Sequence, residues 1–128
     1  MSFFSNIFSS SKQEPNDDSG TFWNKMCSTQ DLQEAVEASH SQTVVIFKHS
    51  TRCFISKTVL RQFENQVKNS QSDARFYYLD LLACRDLSNL IASKFAVTHQ
   101  SPQLLVLKQG KVARHASHQD ISLSLVEN

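Results

Sequence analysis

Along this chain, short continuous apolar runs alternate with longer stretches in which apolar residues recur every three or four positions. Thr43 to Phe47 is a continuous run rich in β-branched residues, as expected of a central strand covered on both faces. Phe22 to Cys27 reads as an edge strand before it. Between them, Ser28 or Thr29 is placed to cap a helix. Asp31, Gln33 and Glu34 favour its N-terminal end, and Leu32, Ala35 and Val36 supply an apolar stripe. Ser39 to Gln42 is a polar turn. Beyond Cys53, the residues Ile55, Val59, Leu60, Phe63 and Val67 repeat at helical spacing, and the pattern fades in the polar stretch Asn69 to Asp73. Arg75 to Leu79 is a third strand, closed by Asp80. Asp86 is placed to cap a helix carrying Leu87, Leu90, Ile91 and Phe95. Leu104 to Leu107 and Val112 to His115 form a hairpin around Lys108-Gln109-Gly110-Lys111, with Gly110 supplying the positive φ. Ser117 to Asp120 begins a short final helix with Ile121 and Leu125 turned inward.

The predicted order is β-α-β-α-β-α-β-β-α. The crossovers around the central strand imply parallel pairing with right-handed connections, and the terminal hairpin adds an antiparallel pair. This is an α/β chain of thioredoxin-like architecture, a mixed sheet of about five strands flanked by about four helices. Its 128 residues fit one domain, which the composition places at residues 21–128. Residues 1–20 read as a mobile leader, serine-rich and acidic from Ser9 to Gly20. Within it, Phe3, Phe4, Ile7 and Phe8 have helical spacing, compatible with a docking helix but expected to be a frayed end.

A formal net charge of +1 points to neither nucleic acid nor an anionic membrane. The five histidines show no metal-ligand spacing, so no metal is expected. There is no apolar run of ~18 residues for a transmembrane helix. The first residues lack a positive n-region and an uninterrupted apolar stretch. They also lack arginine and soon become acidic, so neither a secretory signal nor a transit peptide is expected, and the compartment inferred is the cytoplasm. Three cysteines in that setting read as free thiols, with Cys27 and Cys84 as spectators.

The candidate chemistry sits at Cys53, in Lys48-His49-Ser50-Thr51-Arg52-Cys53-Phe54-Ile55-Ser56, between the central strand and the long helix. Helix-terminal N–H groups and the helix dipole favour a thiolate in such a place. Arg52 is adjacent, and Lys57 at i+4 shares the helix face. A lysine is unfavourable in a helix's first turn unless an anion lies nearby, so Arg52 and Lys57 are candidate substrate-binding cations. Ser56 stands at i+3, where a dithiol oxidoreductase keeps its resolving cysteine. Serine can hydrogen-bond a thiolate but cannot resolve a mixed disulfide, so an external thiol must. Ser101-Pro102, just before a strand, is the second element. In a thioredoxin-like domain this loop holds a cis-proline that leaves the backbone of Ser101 free to pair with an extended substrate. His99, on the same loop, is placed to assist protonation.

The segments FKHSTRCFIS, Phe47 to Ser56, and VTHQSPQ, Val97 to Gln103, resemble the YtxJ-type monothiol bacilliredoxins, thioredoxin-like proteins of the bacillithiol redox system. The resemblance runs from Trp23 to about Leu125. It implies reduction of mixed disulfides between bacillithiol and protein cysteines, with Cys53 as nucleophile, Ser56 replacing a resolving cysteine and Pro102 as cis-proline. It implies no cofactor beyond bacillithiol as co-substrate; the partners would be a low-molecular-weight thiol and oxidised client proteins. Arg52 stands where the family usually has threonine, and Phe54 where it has proline. Bacillithiol carries carboxylates that Arg52 or Lys57 can meet. A glutathione-using or iron–sulfur-binding monothiol glutaredoxin is disfavoured because such proteins have glycine after the cysteine and a Gly-Gly pair beyond the cis-proline. This chain has only Gly20 and Gly110. A non-catalytic thioredoxin-like adaptor is the other alternative, distinguished by an unreactive Cys53.

Overall fold

The computed structural model describes residues 22–127; the leader and its aromatic cluster lie outside them. The elements are β1 (Trp23–Lys25), α1 (Thr29–Ala38), β2 (Val44–His49), α2 (Phe54–Lys68), β3 (Arg75–Asp80), α3 (Arg85–Phe95), β4 (Gln103–Lys108), β5 (Lys111–Ser117), a single 3-10 turn (His118–Asp120) and α4 (Ser124–Glu127). They build one five-stranded sheet in the order β1-β3-β2-β4-β5. β1 and β2 each run parallel to β3, whereas β4 runs antiparallel to both β2 and β5.

Because successive strand residues face opposite sides of a sheet, β2 feeds two cores at once. Val44 and Ile46 pack with Leu32 and Ala35 of α1 and Leu87 and Ile91 of α3. Val45 and Phe47 pack with Val59, Phe63 and Val67 of α2 and Val126 of α4. All six residues of β2 are buried, which is why its first four, Val44 to Phe47, read as an unbroken apolar run with no alternation.

Local chemistry sets the element ends. Ser28 caps α1 in a reciprocal capping box: its Oγ accepts from Asp31 N–H at 3.0 Å, and Asp31 Oδ2 accepts from Ser28 N–H at 3.1 Å. The β4–β5 hairpin turns through Gln109 (φ 55°) and Gly110 (φ 77°), so both central residues are left-handed, as a two-residue primed turn requires. At Gly110 a side chain would also meet the His40 ring at 3.1 Å.

Three expectations are corrected. Ile55 and Leu90 are not core residues: they are 46% and 40% exposed, and Ser56 takes the inward place on the first turn of α2. The helix expected to be capped by Asp86 starts at Arg85 with Cys84 as its N-cap and Asp86 inside its first turn, while Asp80 Oδ1 accepts from the N–H groups of Leu82 and Ala83 in the loop before it. Cys27 and Cys84 are not free thiols: they form a disulfide. Cys27 follows β1 and Cys84 follows β3, and these strands are parallel neighbours. The two loops therefore leave the same sheet edge together, and their Cα atoms lie 5.3 Å apart, within disulfide reach. The pairing joins residues 57 positions apart in sequence, so it depends on strand order that cysteine spacing does not reveal.

Phe63 is the hub of the α2 face, fully buried with its ring centroid 5.7 Å from Phe47 and 6.1 Å from both Trp23 and Phe76. Phe63→Ala is expected to cost about 3–5 kcal/mol in guanidinium-induced unfolding through the cavity it leaves.

Candidate active site

The C-terminal ends of β1, β2 and β3 share one edge of the sheet, and Cys53 follows β2 at that edge. Cys53 is the N-cap of α2, with extended backbone (φ −103°, ψ 121°). Its N–H donates to Ser50 O at 3.2 Å, and its carbonyl accepts the first helical bond from Lys57 N–H at 3.0 Å. Its side chain makes no capping bond, so the sulfur is not tied to the helix backbone. It is half-buried and is the free cysteine among the described residues. The first turn of α2 contains no acidic residue, so no side-chain carboxylate within that turn offsets the positive end of the helix dipole.

The i+3 position is occupied in a specific way. Ser56 Oγ is buried beneath the turn, accepting from Ser50 N–H at 3.1 Å and lying 2.7 Å from His49 Nδ1. Since the hydroxyl oxygen already accepts, its proton is available to His49 Nδ1, which fits a neutral imidazole protonated on Nε2. Burial pushes His49 below its ordinary value; Asp80 and Glu64 pull against this, and the charge of Lys57 adds to it. The hydrogen-bond partners of Ser56 are therefore His49 and Ser50, not the Cys53 sulfur for which it was the expected partner. The ammonium of Lys57 is felt at His49, and Arg52 is exposed beside the cysteine.

The second part of the site arrives through β4. Lys48 of β2 pairs in register with Gln103 of β4, so Pro102 lies beside the end of β2. The Ser101-Pro102 bond is cis. Gln103 Nε2 closes the loop by donating to Thr98 O at 2.9 Å, and Pro102 O accepts from His118 N–H at 3.0 Å. Ser101 Oγ and Gln103 Oε1 are buried without a hydrogen-bond partner. His99 points inward: its Nδ1 lies 3.3 Å from Ser88 Oγ and 3.4 Å from Lys48 Nζ. Burial lowers His99, and the charges of Lys48 and Arg85 lower it further.

Lys48, His49 and Gln103 did not enter the sequence-based site, yet they form its floor. Lys48 is fully buried, its Nζ donating to Ser88 O at 3.1 Å, and burial lowers it to about 8. The available signal was a period of two: Lys48 is in phase with Val44 and Ile46, so a strand continuing past Phe47 had to bury it. Apolar surface also flanks Cys53. Phe54, directly after Cys53, is 80% exposed, with Ile55 beside it. A hollow of about 510 Å3 lined by Phe22, Gln42, Lys68 and Arg75 opens at the opposite edge of the sheet. Among the described residues no group of three His, Cys, Asp or Glu is arranged to hold a metal ion, and no helix is long and apolar enough to cross a membrane.

These burials set a pH dependence. A lysine lowered to about 8 from 10.5 binds its proton more tightly unfolded than folded. Stability therefore rises as pH increases from about 8 toward 10, a window that closes where tyrosines begin to ionise in the unfolded chain. The lowered histidines act in the same sense at lower pH: stability is kept above 6.5 and falls as pH drops below it. Unfolding midpoints measured from pH 5 to 10 should show both rises, and Lys48→Met should remove the alkaline one and soften the acidic one, because His99 loses one of the cations that lower it.

This geometry can be set beside known proteins. The family model described as monothiol bacilliredoxin BrxC matches residues 24–126. A solved structure of a thioredoxin-fold protein assigned among the oxidoreductases is 31% identical, with a TM-score of 0.73; the match covers 84% of this chain and 95% of that one. The short form of spinach chloroplast thioredoxin f is similar at 17% identity and TM-score 0.60, covering 75% of this chain and 80% of that one. Fasciola hepatica thioredoxin is similar at 19% identity and TM-score 0.60, covering 80% and 92%. The last two share the fold. A thioredoxin fold over nearly all the described residues, with the family match spanning both the cysteine turn and the cis-proline loop, shows that the chain belongs to the monothiol bacilliredoxin family of thiol oxidoreductases.

Proposed function

We propose that this protein reduces mixed disulfides between bacillithiol and protein cysteines, using Cys53 as its sole nucleophile. The observation that carries this reading is the distribution of sulfur: Cys27 and Cys84 are bonded to each other, leaving Cys53 free at the start of α2. Its i+3 neighbour is a hydroxyl already engaged with His49 and Ser50.

In the first step the Cys53 thiolate bonds to the bacillithiol sulfur of the mixed disulfide. The S–S bond breaks, and its electron pair leaves on the client cysteine, which is thereby reduced. Cys53 now carries bacillithiol. In the second step an external thiolate attacks the bacillithiol sulfur of this adduct, and Cys53 leaves as a thiolate. The cis-proline loop supports the reading, since the backbone of Ser101 is suited to hold the client segment in extended form. Arg52 and Lys57 are the cations proposed to meet the bacillithiol carboxylates, with His99 helping to position the loop. The exposed ring of Phe54 adds an apolar contact for the client.

Incubation with a bacillithiolated client should transfer bacillithiol to Cys53, visible as a mass increase on the Cys53 peptide, and should restore the client thiol. Cys53→Ser should abolish the transfer. If the adduct does not form with bacillithiolated clients but does with glutathionylated ones, the co-substrate is wrong; if it forms with neither, the nucleophile is wrong. Ser56→Ala should retain transfer while losing about 1–3 kcal/mol of stability in urea unfolding, because the buried His49 Nδ1 and the half-buried Ser50 N–H lose their partner.

A further inference from the structure

The disulfide lies outside the chemistry assigned to Cys53, and its surroundings differ from those of a buried staple. Cys27 is exposed, whereas Cys84 is half-buried against the α1–α3 core. An attacking thiol therefore has access to the Cys27 sulfur, and Cys84 is the leaving group. Cys84 is the N-cap of α3, an eleven-residue helix whose next residue is Arg85. A thiolate released there is favoured by the helix dipole and the adjacent Arg85 and opposed by the Asp86 carboxylate in the same first turn; the better such a thiolate is stabilised, the faster it departs. On the other side, the Cys27 backbone is held by its N–H donating to Asp31 Oδ2 at 2.9 Å, so the loop keeps its anchor when the bridge opens.

The bridge is also connected to the active-site loop. Cys84 O accepts the first bond of α3 from Ser88 N–H at 3.1 Å. Ser88 in turn holds Lys48 Nζ through its carbonyl and lies against His99 Nδ1 through its hydroxyl. The bridge thus fixes the same first helical turn on which the His99–Pro102 loop rests.

We propose that the Cys27–Cys84 disulfide is a second redox centre, opened by dithiol reductants, whose state is transmitted through Ser88 to the cis-proline loop. A reductant thiolate bonds to the Cys27 sulfur, the S–S bond breaks, and its electron pair passes to Cys84, which takes a proton from water. The second thiol of the reductant then displaces Cys27 from the mixed disulfide. The reductant ends as its own disulfide, and the protein carries two thiols, a net gain of two electrons and two protons.

The test uses the full chain with Cys53→Ser, so that no signal comes from the nucleophile. The folded protein is exposed to millimolar dithiothreitol under native conditions and then alkylated. Two alkyl groups, on Cys27 and Cys84, are expected, with opening slowed severalfold by Arg85→Ala. Amide NMR signals of Ser88, His99 and Ser101 should shift between the closed and open forms, and Cys27→Ser/Cys84→Ser should reproduce the open-form signals. A bridge that resists reduction until guanidinium unfolds the protein would overturn the redox role, and opening without any shift in the loop would overturn the transmission.

Discussion

The pairing of β2 with β4 is the constraint on which the site depends. Its antiparallel register sets Lys48 opposite Gln103, and with that one alignment two segments some fifty residues apart in sequence arrive at the same end of the sheet. The cysteine turn continues β2, and the cis-proline loop leads into β4. A slip of one residue would turn every side chain of either strand to the wrong face. The register is held because both strands are buried and their alternate residues are committed to two different cores.

Beneath the site the protein maintains a layer of buried polar groups in place of apolar packing. Lys48 and His49, adjacent in β2, point to opposite faces of the sheet and serve opposite halves of the site. Lys48 reaches α3 and the His99 loop, whereas His49 reaches Ser56 under the first turn of α2. Burying a lysine ammonium carries a desolvation cost, visible in its lowering to about 8. That cost falls at the point where loop and helix must be held in a fixed relation, and the hydrogen bonds to Ser88 and Ser56 provide the hold. Polar contacts are directional in a way that apolar packing is not, so they fix the loop's position as well as its burial.

The element order, the place of Cys53 at the start of α2 and the cis bond at Pro102 could be read from the chain because they are local. A β-branched run, a helical period and two short motifs each speak for themselves. What could not be read depends on tertiary neighbours. Ile55 fits the helical stripe by spacing, but the first turn of α2 faces the polar floor, so Ser56 goes inward and Ile55 outward. Leu90 likewise satisfies the period of α3 but falls at the margin of its buried face. The Cys27–Cys84 bond follows from β1 lying beside β3, a fact of sheet order absent from cysteine spacing. Lys48 was visible as a residue and hidden as a participant, because the end of β2 was placed one residue before it.

The protein's single tryptophan sits in a ring-lined recess between the sheet and α2, within 4.8 to 6.1 Å of Phe22, Phe47, Phe63, Phe76 and Tyr78, with its indole Nε1 donating to Glu64 of α2 at 2.7 Å. Its near-ultraviolet emission is therefore a built-in gauge of how closely that helix hugs the strands. The light comes from the half of the molecule that carries Cys53's helix and not from the half that carries the cystine clasp, so detachment of α2 can be watched optically while the sulfur atoms are followed separately by mass.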